Sequence, residues 1–310
     1  MSSIIQVAGL SKHFKAIRAV DDLSFSVNKG EIYGFLGQNG AGKSTTIRML
    51  LTLIQPTRGT IQVFGKDLQS HRNKILKQIG AIIEKPDLYK FLTALQNLHL
   101  FARLSKVKRT TKELMHQLEI VGIAERATSK VKTFSQGMKQ RLGIACALIH
   151  DPELIILDEP TNGLDPHGIA DVRNLLLHLS KNEGKTIVVS SHLLSEIELI
   201  ADSMLIIDKG KKIAEGKVKE LLNPADIIVK LETTDNIAAL KKLQKSSWQK
   251  SLKTTNEKIF LAIHQEKIPA LAKALIAMDI EIMALQPKHS LEDYFLSLTT
   301  NYSHVAAYQH

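Results

Sequence analysis

Residues 37–44, Gly37-Gln38-Asn39-Gly40-Ala41-Gly42-Lys43-Ser44, constrain this chain more than any other stretch. They satisfy the pattern G-x-x-x-x-G-K-[ST] and lie between a β-type run, Glu31–Leu36, and a helical run from Lys43 to about Leu53. A polyphosphate needs several convergent backbone N–H groups. Glycines let the chain wrap closely around it, and a helix N-terminus adds favourable partial charge. In that arrangement Lys43 reaches the β- and γ-phosphates, the Ser44 hydroxyl binds Mg²⁺, and Thr45 adds a phosphate contact.

A second motif complements the first. Leu154-Ile155-Ile156-Leu157-Asp158-Glu159 sets two adjacent carboxylates at the end of an uninterrupted apolar strand, where a desolvated charge needs a partner. Mg²⁺ would supply it, with Asp158 holding the metal and Glu159 polarising the attacking water, because phosphoryl transfer depends chiefly on positioning and charge stabilisation.

Around these motifs β-type and helical runs alternate. Runs at Ser3–Val7, Ile17–Val20, Leu23–Val27, Thr60–Phe64 and Ile79–Ile83 read as strands. From Thr93 to about Gly122 the spacing turns helical, with Thr93 and Gln96 as a capping box, and a further helix is expected over Gly137–His150. Helices near Gly168–Ser180 and Leu193–Ala201 and strands at Thr186–Ser190, Met204–Asp208 and Lys211–Glu215 complete an α/β core. The segment from about 85 to 150 reads as a helical insertion.

A boundary is expected near Asn223-Pro224, giving a nucleotide-binding domain over 1–222 and a small α+β accessory domain over 223–310. The latter reads strand (Ile227–Leu231), helix (Asn236–Gln244), hairpin (Trp248–Lys253 with Lys258–Ile263), helix (Ile268–Met278) and strand (Ile280–Leu285). That order is the split-βαβ pattern of ferredoxin-like domains. No nucleotide motif occurs twice, so one chain supplies one nucleotide domain.

Composition excludes several classes. Hydrophobic residues at 44% and charged residues at 23% are ordinary for a folded globular chain. Apolar runs such as Leu142–Ile149 fall far short of the ~20 residues that span a bilayer. The N-terminus lacks the pattern of a secretory signal, which points to the cytoplasm. The lone Cys146, in an apolar stretch, fits a reducing compartment and a buried thiol. The net charge is +10, yet residues 221–310 carry 10 basic and 9 acidic side chains, so the surplus lies in the nucleotide-motif region. There is no block of like charge to suggest a nucleic-acid arm, and no specific nucleic acid is expected as a partner.

Phe134-Ser135-Gln136-Gly137-Met138-Lys139-Gln140-Arg141 resembles the signature motif of ABC ATPases. Three further pieces are similar to that family: Asn162-Gly163-Leu164-Asp165 resembles its D-loop, Ser191-His192 its switch histidine, and Phe14 its adenine-stacking aromatic. The resemblance covers residues 1–220 and implies a P-loop NTPase fold with a helical subdomain, in which two nucleotide domains sandwich two MgATP molecules. It further implies that Ser135 and Gly137 act across that interface, that Asp165 takes part in binding nucleotide, and that His192 contacts the γ-phosphate and Glu159. The helix start at Ser135 and Gly137 suits this, since a hydroxyl, backbone N–H groups and the helix dipole could all face a phosphate.

Two departures stand out. The signature has Phe134, Gln136 and Met138 where Leu, Gly and Gln are usual. Glu84 stands where most members carry glutamine; Ile83-Glu84-Lys85-Pro86 resembles the E-loop of bacitracin- and lantibiotic-type exporter subunits, in which Glu84 would be a Mg²⁺ ligand. The alternative is a surface ion pair with a neighbour such as Lys85. Ser290–Leu298 resembles the ending of the same exporter group. The expectation is an ATP hydrolase energising a separate permease from the cytoplasmic face of the membrane, with export of a peptide antibiotic, a drug or a lipid read by analogy. A soluble ATPase remodelling a cytoplasmic complex and a low-turnover regulatory module stay open beside it.

Overall fold

The computed structural model describes residues 3–221, 227–255 and 258–288. The chain divides into two compact units, Met1–Val218 and Lys219–His310. The Asn223-Pro224 boundary and the Ser290–Leu298 run lie outside the described residues.

In chain order the first unit contains β1 (Ser3–Phe14), β2 (Ile17–Asn28), β3 (Ile32–Leu36), α1 (Lys43–Leu50), β4 (Arg58–Val63), β5 (Lys66–Asp67), α2 (Arg72–Leu76) and β6 (Ile79–Ile82). Three helices follow, α3 (Ala94–Leu104), α4 (Thr111–Ile120) and α5 (Gln136–Ala147). Then come β7 (Leu154–Asp158), α6 (Pro166–Lys181), β8 (Thr186–Ser191), α7 (Leu194–Ile200), β9 (Ser203–Asp208) and β10 (Lys211–Lys217), and the short α8 (Val218–Leu221) runs across the division between the units.

Two sheets result. One is antiparallel, in the order β2-β1-β4-β5. The other runs β10-β9-β3-β8-β7-β6, parallel from β9 to β6 with β10 antiparallel at its edge. Every residue of β3, β7 and β8 is buried, which is why these strands are continuous apolar runs rather than alternating ones. The core joins Tyr33, Phe35, Ile156, Val188, Leu205 and Ile207 from the parallel sheet to Ile5, Leu10, Leu23 and Phe25 from the antiparallel one.

The helical stretch from 93 to 122 is two helices. Thr93 and Thr110 each form a capping box, with Gln96 and Glu113 respectively, so both N-termini are satisfied by their own side chains. Several expected bounds shift. The runs Ile17–Val20 and Leu23–Val27 are one strand, because Asp22 adopts φ 55 and the pairing with β1 shifts register without ending. Helix α1 stops at Leu50, where Thr52 turns left-handed at φ 58. Helix α5 begins one residue earlier than Gly137 and ends at Ala147.

The second unit contains β11 (Ile227–Thr233), α9 (Asn236–Gln244), β12 (Leu252–Thr255), β13 (Lys258–Ile263), α10 (Ile268–Ala277) and β14 (Ile282–Lys288). Its sheet runs β12-β13-β11-β14 with antiparallel pairing throughout. Val229, Leu231, Ile259 and Leu261 meet Leu243, Leu271 and Leu275 of the two helices in one core. Trp248 packs against that core but lies in no strand: the hairpin opens at Leu252, after a 3₁₀ turn at Gln249–Ser251.

Candidate active site

The parallel sheet assembles the site through its register. Leu36 of β3 pairs with Ser191 of β8, Ser190 of β8 with Asp158 of β7, and Leu157 of β7 with Ile82 of β6. Each of these four strands ends at that row, so the segments leaving their C-terminal ends share one edge. They carry the loop 37–44, His192, Glu159 and Glu84. In open α/β sheets this edge is where ligands bind.

The loop is shaped by its glycines. Gly42 adopts φ 108 and caps α1, and a Cβ there would lie 2.5 Å from the Ala19 carbonyl oxygen. A Cβ on Gly37 would lie 2.6 Å from the Ile207 carbonyl oxygen. No side chain fits at either position. Gln38 accepts from the Ala41 N–H at 3.0 Å, closing the turn between Gly37 and Gly42, and Asn39 and Gly40 form its exposed tip. Ser44 and Thr45 open α1.

Lys43 is 5% exposed; its ammonium donates to Gly37 O at 2.6 Å and Gln38 O at 3.3 Å. It also lies 3.1 Å from Glu159 Oε1, an ion pair that lacks hydrogen-bond alignment. The other oxygen of Glu159, Oε2, is 2.7 Å from His192 Nδ1, so the ring donates from Nδ1 to the carboxylate. Lys43, Glu159 and His192 thus form one continuous chain of polar contacts. Glu159 adopts φ 51, a costly conformation for a residue with a side chain, held here because its N–H donates to Ser190 Oγ at 2.9 Å.

Asp158 is 1% exposed. Its Oδ1 accepts from Ser190 Oγ at 2.6 Å, while Oδ2 is buried without a hydrogen-bond partner. A buried, unpartnered carboxylate oxygen is costly unless a cation or ordered water meets it.

The remaining expected residues fall in other places. Phe14 ends β1, 45% exposed, with Lys12 Nζ 5.0 Å from its ring centroid. Glu84 is exposed, at φ 61, and pairs with Arg48 at 2.5 Å. Its ion-pair partner is therefore Arg48 rather than Lys85. Arg48 lies one helical turn beyond Ser44 on α1, so the pair ties Glu84 to the helix that carries Ser44. Ser135 caps α5, accepting from the Met138 N–H at 3.2 Å, and Gly137 lies in that first turn. Asp165 caps α6, accepting from the Gly168 N–H at 2.9 Å. Among the described residues, no hydrogen bond or ion pair joins Ser135, Gly137 or Asp165 to the loop 37–44, Asp158, Glu159 or His192.

Sequence reasoning missed Ser190, which holds both Asp158 and Glu159. Its signal was a Ser-Ser pair ending the apolar run Thr186–Val189. It also missed Glu196 of α7, which accepts from the Thr161 hydroxyl and lies 3.4 Å from Ser191 Oγ, linking the turn after Glu159 to the segment before His192.

Known proteins resemble this chain in sequence and fold. A family model described as ABC transporter matches residues 20–162. An ABC transporter ATP-binding protein of Bacillus subtilis (strain 168), YhcH, is 42% identical over 96% of this chain and 97% of its own length. This chain belongs to the ABC transporter ATP-binding family. It is therefore an ATP-hydrolysing transport subunit. The bacitracin transport ATP-binding protein BcrA of Bacillus licheniformis is 41% identical over 96% of this chain and 98% of its own. A dimeric ATP-binding cassette in a post-hydrolysis state, bound to ADP and Pi, superposes with a TM-score of 0.60 at 25% identity over 69% of this chain and 98% of its own. No helix among the described residues of this ABC subunit is long and apolar enough to cross a membrane.

Proposed function

We propose that this ABC subunit hydrolyses MgATP in a closed dimer at the cytoplasmic face of the membrane and thereby drives a separate permease that exports a peptide antibiotic. The observation that carries the proposal is the strand register, which brings Lys43, Asp158, Glu159 and His192 to one edge of a buried sheet. Bacitracin transport by a relative 41% identical over 96% of this chain supports the substrate class.

In this reading residues 1–222 are the nucleotide-binding domain and 223–310 a ferredoxin-like accessory domain. Gly37–Ser44 cradle the phosphates with Thr45 beside them, and Phe14 stacks on adenine. When nucleotide arrives, Lys43 exchanges its loop carbonyls and Glu159 for phosphate oxygens, which releases Glu159 to orient the attacking water. His192 holds Glu159 through Nδ1 and senses whether the γ-phosphate is intact. The donor set fits Mg²⁺, a hard cation: the unpartnered Asp158 Oδ2 and the Ser44 hydroxyl would hold it, and Glu84 would join them once freed from Arg48. Bound there, Mg²⁺ would neutralise charge on the β- and γ-phosphates.

Ser135, Gly137 and Asp165 serve the partner's nucleotide, which accounts for their lack of bonds to this chain's own site. The dimeric cassette holding ADP and Pi supports this. The permease docks on the groove after Glu84, where Asp87 and Leu88 line the wall and Tyr89 and Phe91 are exposed beside it. Steady-state hydrolysis by wild type and Glu159→Gln, each with the permease in membranes, tests the proposal. The variant is expected to bind MgATP but turn over ~10²–10⁴-fold more slowly. Equal rates would contradict the role of Glu159.

A further inference from the structure

Glu196 has no part in the proposed chemistry, yet both sides of the Glu159–His192 pair are fastened to it. Its Oε2 accepts from the hydroxyl of Thr161, two residues after Glu159, and lies 3.4 Å from Oγ of Ser191, which precedes His192. The same Ser191 oxygen accepts from the Leu193 N–H at 3.0 Å, so the residues flanking His192 are tied to one another as well. Thr161 also opens the turn that leads to Asp165, its carbonyl accepting from the Leu164 N–H at 3.2 Å. One carboxylate oxygen thus bridges the segments that leave β7 and β8.

Hydrogen bonds hold this junction because packing does not. A cavity of about 320 Å³ opens beside it, with Pro160, Thr161, Ser191 and Glu196 in its wall, and Asn162 and Gly163 are exposed. A turn bordered by open space and by solvent has few packed neighbours to fix it. Without the Glu196 carboxylate, Thr161 and Ser191 would lose their shared anchor, and the 2.7 Å contact between Glu159 Oε2 and His192 Nδ1 would lose its outer support. The competing duty for Glu196 is electrostatic: it lies in the first turn of α7, where negative charge favours the helix dipole.

We infer that Glu196 is a positioning residue for hydrolysis, fixing Glu159 against His192 by tying together the segments that carry them. The inference rests on the reading of Glu159 and His192 as the pair that orients water and senses the γ-phosphate.

Two substitutions separate reach from charge. Glu196→Gln keeps the side-chain length and an acceptor for Thr161 but removes the charge, whereas Glu196→Asp keeps the charge at the start of α7 and falls one methylene short. In steady-state hydrolysis with the permease in membranes, Glu196→Ala and Glu196→Asp should lower kcat by ~10–100-fold, with KM for MgATP within about twofold of wild type. Glu196→Gln should recover most of that loss. Thr161→Val removes the donor and should cost as much as Glu196→Ala, and the double variant should be no worse than either, because the two side chains act as one unit. Urea midpoints accompany each rate, and should Glu196→Ala fail to fold, the contrast between Gln and Asp decides. Wild-type kcat for Glu196→Ala, recovery by Asp but not Gln, a loss confined to KM, or losses that add in the double variant would overturn the inference. Glu159→Gln in the same assay tells the two readings apart. A loss there with none for Glu196→Ala overturns the positioning role alone, and no loss there overturns the reading beneath it and the inference with it.

Discussion

At the scale of single residues, the hydroxyl of Ser190 holds both Asp158 and Glu159. It donates to Asp158 Oδ1 at 2.6 Å and accepts from the Glu159 N–H at 2.9 Å, so two neighbours with different duties are fixed by one oxygen. Removing it leaves buried polar groups unpartnered, at a cost of ~1–3 kcal/mol, and frees a backbone held at φ 51. Ser190→Ala is therefore expected to lower kcat by ~10–100-fold with a smaller change in KM, and Ser190→Thr, which keeps the hydroxyl, to recover most of the loss. Equal kcat for Ser190→Ala and wild type would show that Glu159 is positioned by other means. Lys43, Asp158, Glu159 and His192 were legible because each sits in a motif whose spacing implies its chemistry. Ser190 was not, since its role arises from pairing across strands 32 residues apart.

At the scale of elements, close approaches set where the helices lie. A Cβ on Gly80 of β6 would come within 2.4 Å of the Ala147 carbonyl oxygen, and one on Gly143 of α5 within 2.4 Å of the Pro86 side chain. These glycines let α5 pack directly on β6 and on the segment after Glu84. His150, just past the C-terminal end of α5, fastens the same junction through Nε2, 3.1 Å from Ile79 O. Desolvation by burial holds its pKa below the ordinary histidine value, outweighing the opposing backbone hydrogen bond. The fold thus favours the neutral ring. Its contribution is present above the unfolded value near ~6.5 and is lost as pH falls from there toward the lower folded value. Between pH ~7 and ~5 the urea midpoint of wild type should fall more than that of His150→Gln. Parallel falls would show that His150 does not titrate with folding. Element types were readable where apolar runs were short and bounded by turn residues, as in β7 and β8. They were less so where bulges kept a strand going through polar residues, as in β2, or where an aromatic core residue, Trp248, precedes its strand.

At the scale of the whole molecule, the account turns on a site that one chain does not complete. Ser135 and Asp165 cap their own helices, and neither is bonded to the chain's own loop 37–44, while Lys43 and His192 both meet Glu159. Sequence order showed the motifs and implied their pairing across two chains only through family resemblance, because spacing along one chain carries no information about a second. The charge surplus was legible in the sequence as a total. Closure of two such subunits over MgATP is the central claim, and the solution mass of Glu159→Gln with and without MgATP tests it most directly. A shift from monomer to dimer on adding MgATP, abolished by Ser135→Arg, is the predicted result. A mass that stays monomeric while the variant binds MgATP would contradict closure by these two surfaces.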